Sequence, residues 1–93
     1  MNRYKIALAQ GRRAYEEAIE EDKELLAYYG FVLLSCDSGI RVVRQDRIRK
    51  GKVHPWNTMT IESKVWAWLR PLLIELREAR ADPSAALSLM ASN

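Results

Sequence analysis

The chain has 93 residues, enough for one small domain, and its 48% apolar content belongs to a globular chain rather than a disordered one. It contains no run of about 18 apolar residues, which excludes a transmembrane helix, and its single cysteine excludes an internal disulfide. The net charge is only +3, but it is unevenly spread: Glu16 to Glu24 holds six acids against Lys23, and Arg41 to Lys52 holds six bases against Asp46.

Met1-Asn2-Arg3-Tyr4-Lys5 leads into a charged helix rather than the apolar core of a signal peptide, and a cytoplasmic location is expected. Residues 3–29 read as one long helix. Tyr4, Leu8, Gly11, Tyr15, Ala18, Leu25 and Tyr29 recur at alternating four- and three-residue steps, and Asp22 is the only break in the series. This seam serves either the chain's own core or a contact between subunits, with Gly11 and Ala18 small enough for close helix approach. Glu17 and Glu21, and likewise Glu20 and Glu24, are like charges one turn apart, which costs a few tenths of a kcal/mol per pair.

Gly30 fits the left-handed position that follows a helix end. Residues 30–45 are expected to form a β-hairpin. Phe31 to Cys36 is the first strand, Asp37-Ser38-Gly39 the turn with Gly39 at positive φ, and Ile40 to Arg44 the return. A two-stranded ribbon is only marginally stable until something covers it. Cys36 is expected to pack as a small hydrophobe. Residues 46–59 read as a basic loop, either mobile or a continuation of the hairpin, in which Arg47, Arg49, Lys50 and Lys52 are either candidates for phosphate contact or simply solvated. No aromatic interrupts the basic run, although Trp56 follows it closely. His54, the single histidine, has no cysteine or carboxylate at metal-ligand spacing and suits a turn.

Residues 60–81 read as the second long helix, with Thr60 as N-cap and Glu62 in the first turn. Ile61, Val65, Trp68, Leu69, Leu72, Leu76 and Ala79 share one face, which Trp66 and Leu73 widen. Pro71 lies inside the pattern and is expected to kink the helix near Ala67. Asp82-Pro83 signals a restart, and residues 83–91 are expected to form a short final helix. Neither a phosphate-binding glycine loop nor a nucleophile–base set is present, so no enzyme activity and no cofactor or metal are expected.

The ordered pieces Ala14-Tyr15-Glu16-Glu17-Ala18, Tyr29-Gly30-Phe31-Val32, Asp37-Ser38-Gly39, His54-Pro55 and Asp82-Pro83-Ser84-Ala85-Ala86-Leu87 resemble the small terminase subunit family of HK97-like tailed phages and prophages. The likeness runs over roughly residues 5 to 89. Ile40 to Val53 is longer than the family usually has at this point, and it carries the basic cluster. The resemblance implies a ring-forming homo-oligomer that binds the viral double-stranded DNA to be packaged and regulates the large terminase subunit.

The expected fold class is therefore α+β: a long N-terminal helix, a β-hairpin, a long kinked second helix and a short C-terminal helix. Arg41, Arg44, Arg47, Arg49, Lys50 and Lys52 are the expected DNA contacts, with Arg12 and Arg13 as further candidates. Tyr4, Leu8, Tyr15, Phe31, Leu33, Trp66 and Leu73 are the expected oligomer interface, on the expectation that the apolar surface exceeds what one small domain covers. A small protein-binding regulator or inhibitor without DNA binding is the alternative.

Overall fold

The structure, a computed structural model, describes residues 2–36 and 39–81. The expected turn at Asp37-Ser38 and the expected short helix at 83–91 lie outside the described residues. The fold is α+β, with helices α1 (Arg3–Gln10), α2 (Arg12–Tyr28) and α3 (Ser63–Ala81) against an antiparallel sheet of β1 (Phe31–Ser35), β2 (Gly39–Arg44) and β3 (Thr58–Glu62) in the order β1-β2-β3.

The first helix is two helices. Gly11 adopts φ 130° and ψ 163°, a conformation essentially confined to glycine, and its N–H closes α1 by donating to the Leu8 carbonyl. Because the backbone resets there, the seam expected across residues 3–29 does not continue through it. α1 turns Tyr4 and Ala7 inward and leaves Leu8 56% exposed, while α2 buries Ala18, Asp22, Leu25 and Leu26. α2 ends as expected, with Tyr29 as C-cap and Gly30 at φ 83°.

β3 departs from the sequence-based expectation of a loop followed by a helix start. Thr58 to Glu62 extends along β2 with Val43 opposite Thr58, Val42 opposite Met59 and Ile40 opposite Ile61. It covers the edge that a lone hairpin would have left open, and α3 accordingly starts at Ser63 rather than near Thr60. Gly39 also has a different role from the one expected. Its φ is not positive; instead, any Cβ there would collide with the Ile61 carbonyl oxygen, so glycine is what lets β2 begin against β3. On the other side, β1 pairs with β2 through an irregularity between Leu33 and Ser35.

The core lies between the helices and one face of the sheet. Leu25 and Leu26 of α2, Ile40 and Val42 of β2 and Trp66 of α3 are buried there, and each large aliphatic side chain so buried stabilises the fold by about 1.5–3 kcal/mol. α3 runs through Pro71 as one helix. Pro71 has no N–H to give to the carbonyl of Ala67, one turn earlier on the helix.

At the centre of the three helices sits Asp22, the residue that interrupted the apolar repeat, and it is fully buried. Its Oδ2 accepts the Tyr4 hydroxyl at 2.6 Å and the Trp66 indole N–H at 3.1 Å, while Oδ1 accepts Arg70 Nε at 2.7 Å. Arg3 Nε approaches Oδ2 to 3.5 Å. Arg3 and Arg70 also both reach Glu21, at 2.6 and 3.3 Å. A buried carboxylate is tolerated only when its lone pairs are taken and its charge is matched, and both conditions hold here. Burial and the bond to Asp22 keep the Tyr4 hydroxyl protonated far above the usual tyrosine range. With its oxygens committed to the helix junction, Asp22 is a structural group.

Candidate functional site

The segment between β2 and β3 is the elaborated tip of a hairpin, one of the two forms that the sequence allows for it. After Arg44 the chain makes a 3₁₀ turn (Gln45–Arg47), passes through extended Ile48, and closes a tight turn in which Lys52 N–H donates to the Arg49 carbonyl at 2.9 Å. The two central residues, Lys50 and Gly51, both have positive φ (55° and 70°), the pattern of a type I′ turn. A second 3₁₀ turn (Pro55–Asn57) leads back into β3, held by the Thr58 hydroxyl donating to the Pro55 carbonyl at 2.8 Å. We call residues 45–57 the arm.

Most of the expected cations gather on or beside this arm. Arg47, Arg49, Lys50 and Lys52 are exposed, and none has an acidic partner among the described residues. Asp46, the one acid of the segment, is taken by Arg44 at 2.7 Å. Arg41 projects from β2 and donates to the Thr58 hydroxyl at 3.2 Å. Arg12 and Arg13 belong to α2, where they pair with Glu16 and Glu17 one turn on, at 3.2 and 3.1 Å. Those pairs, with Lys23 on Glu20 and Arg3 and Arg70 on Glu21, offset much of the acidic face that the sequence shows on this helix.

The fold adds residues that the linear sequence did not place in the site. Extended Ile48 puts Arg47 and Arg49 on the same side of the chain. Together with His54, Trp56 and Asn57 they line a cleft of about 350 Å3. The indole of Trp56 is 77% exposed and stacks on the His54 imidazole, with ring centroids 5.6 Å apart and planes 20° from parallel. An aromatic therefore does stand beside the basic run. The only linear hint was that Trp56 follows the last lysine of the run by four positions.

The expected interface residues divide. Tyr4 and Trp66 are buried inside the protomer, which corrects their assignment to a subunit contact: both are held by Asp22, so neither can be presented to a partner. Tyr15, Leu33, Phe31 and Leu73 are half-buried against the core, and Phe31 and Leu73 also line an apolar cleft of about 230 Å3 between α3 and the sheet. Leu8 alone of the seven is largely exposed. Four further exposed apolar side chains lie together on the outer side of α3. Trp66, Leu69, Leu73 and Ile74 turn inward, leaving Val65, Trp68, Leu72 and Leu76 outside, with Trp68 68% exposed. These four recur at three- and four-residue steps and form one stripe.

Among the described residues no helix is long and apolar enough to cross a membrane. Neither a protein-family model, nor a curated protein, nor a solved structure matches the chain.

Proposed function

We propose that the chain is a self-associating DNA-binding subunit of the small-terminase type, using the arm to hold the phosphate backbone of double-stranded DNA and presenting that DNA to a large packaging subunit. The observation that carries the DNA reading is the set of four exposed cations, Arg47, Arg49, Lys50 and Lys52, on a hairpin tip without acidic partners among the described residues. Cations left unpaired on an exposed tip of successive tight turns favour a polyanion. Arg41 at the base of the arm extends the basic surface. The terminase assignment rests on the resemblance in sequence.

Self-association is supported by the stripe of Val65, Trp68, Leu72 and Leu76, which no described element of the protomer covers. The same stripe favours the second reading, a regulator that binds a different protein. Mass in solution separates the two, because a homo-oligomer exceeds 10.8 kDa several-fold and a monomeric regulator does not.

The arm is tested by a mobility shift on duplex DNA across a salt series, comparing the native chain with a variant carrying Arg47→Gln, Arg49→Gln, Lys50→Gln and Lys52→Gln. For every phosphate that the variant no longer neutralises, the dependence of log K on log salt should flatten by about 0.9. Equal affinity and equal slope would remove the arm from the mechanism.

A further inference from the structure

The cleft formed by Arg47, Arg49, His54, Trp56 and Asn57 has features that duplex phosphate contact does not need. Cations suffice for a backbone, yet here a tryptophan 77% exposed stands beside two arginines and is held in place rather than loose. Pro55 restricts the backbone before it, the 3₁₀ turn is closed by Asn57 N–H donating to the His54 carbonyl at 2.9 Å, and the imidazole of His54 lies nearly parallel to the ring. Exposing a large aromatic in this way is unfavourable for the isolated protein, and prior ordering of its ring reduces what must be frozen when a flat ligand arrives. The amide of Asn57, half-buried at the cleft wall, supplies both a donor and an acceptor.

We infer that this cleft binds an unpaired nucleotide of the DNA strand, with its base stacked on Trp56 and its phosphate between Arg47 and Arg49. A planar aromatic next to a pair of guanidinium groups is the combination that single-stranded nucleic acid requires, because every base has a face to stack and every linkage a charge to neutralise. The space of about 350 Å3 lies in the range of sites that hold small ligands. Paired bases inside a duplex cannot offer a face, so the cleft selects ends, gaps or opened segments. This inference rests on the DNA reading of the arm and adds a preference within it.

The test uses two labelled DNA molecules of equal phosphate number, one a blunt duplex and the other a duplex with a short single-stranded thymidine tail, at the same salt concentration. The native chain should bind the tailed molecule about tenfold more tightly, the scale of one stacked base. Trp56→Ala should bring the two affinities together while leaving the blunt duplex nearly unchanged, and Trp56→Phe should retain most of the preference. The side chain is exposed, so the variants should fold, which circular dichroism checks. Equal affinity of the native chain for both molecules would overturn this inference and leave duplex binding standing. A preference that survives Trp56→Ala would overturn it as well. Failure to bind either DNA would overturn it together with the proposed function.

Discussion

Trp66 of α3 donates its indole N–H to Asp22 of α2 across 3.1 Å and 44 residues of sequence, sharing the acceptor oxygen with the Tyr4 hydroxyl of α1. One carboxylate thus joins three helices, and Arg70, one turn beyond Trp66, matches its charge at 2.7 Å. The junction positions α3 over the sheet and so determines which of its apolar faces is left outside.

Removing that carboxylate should be costly. Asp22→Ala leaves Arg70 partly desolvated without its nearest partner and orphans two donors, Tyr4 and Trp66. Breaking a buried pair in this way destabilises by about 3–5 kcal/mol. Urea denaturation of the variant should show the midpoint falling accordingly. A loss below about 1 kcal/mol would mean that the three helices are held by apolar packing alone.

Tyr4 gives the junction an alkaline weakness. In the unfolded chain its hydroxyl titrates near 10.0, whereas burial and Asp22 raise it well beyond that in the folded state. Its contribution is therefore complete below pH 10. Above it, the unfolded chain releases a proton that the folded chain retains, so stability falls as pH rises. Tyr4→Phe should cost about 1 kcal/mol at neutral pH through the absence of its bond to Asp22. It should also flatten the decline between roughly pH 9.5 and 11, read as urea midpoints at each pH; an unchanged decline would assign the alkaline sensitivity elsewhere.

Lys50 sits at φ 55°, a left-handed conformation that asparagine and glycine accept more readily than lysine. A lysine there trades backbone comfort for a charge at the apex of the arm. Lys50→Asn should raise stability by a few tenths to about 1 kcal/mol. It should also weaken duplex binding and reduce the salt slope by about 0.9. Thermal melting and the salt series together check both signs, and a variant that gains stability with no loss of binding would separate the apex from the DNA contact.

The outer stripe of α3 predicts how the chain self-associates. Trp68 and Leu72 are both exposed, so the double substitution Trp68→Glu, Leu72→Glu should leave the protomer folded and reduce the assembly to a 10.8 kDa monomer by sedimentation. An oligomer that persists in the variant would place the contact on another surface.

Several elements could be read from the linear chain because their causes are local. Gly30 ends α2 since the left-handed position needs no neighbour to make glycine favourable, and the apolar period of residues 63–81 is a property of the helix itself. The run from Arg47 to Lys52 was legible as a candidate phosphate site because charge density is visible in order. The third strand was not. Thr58 to Glu62 is too short for its period to exclude a helix start, and it becomes a strand because β2 offers it an edge. The role of Asp22 was equally hidden, since a charge among apolar positions reads as an interruption until donors 18, 44 and 48 residues away converge on it.

Dihedral preference and composition over a few residues were thus enough to locate the end of α2 and the stretch where positive charge accumulates. They could not say which face of α3 is buried, that Gly11 divides the first helix, or that Trp56 stands beside Arg47 and Arg49. Those outcomes came from the folded chain, because burial, strand pairing and the shelter of a charge are relations between distant segments. Their free energy exists only once those segments are in contact.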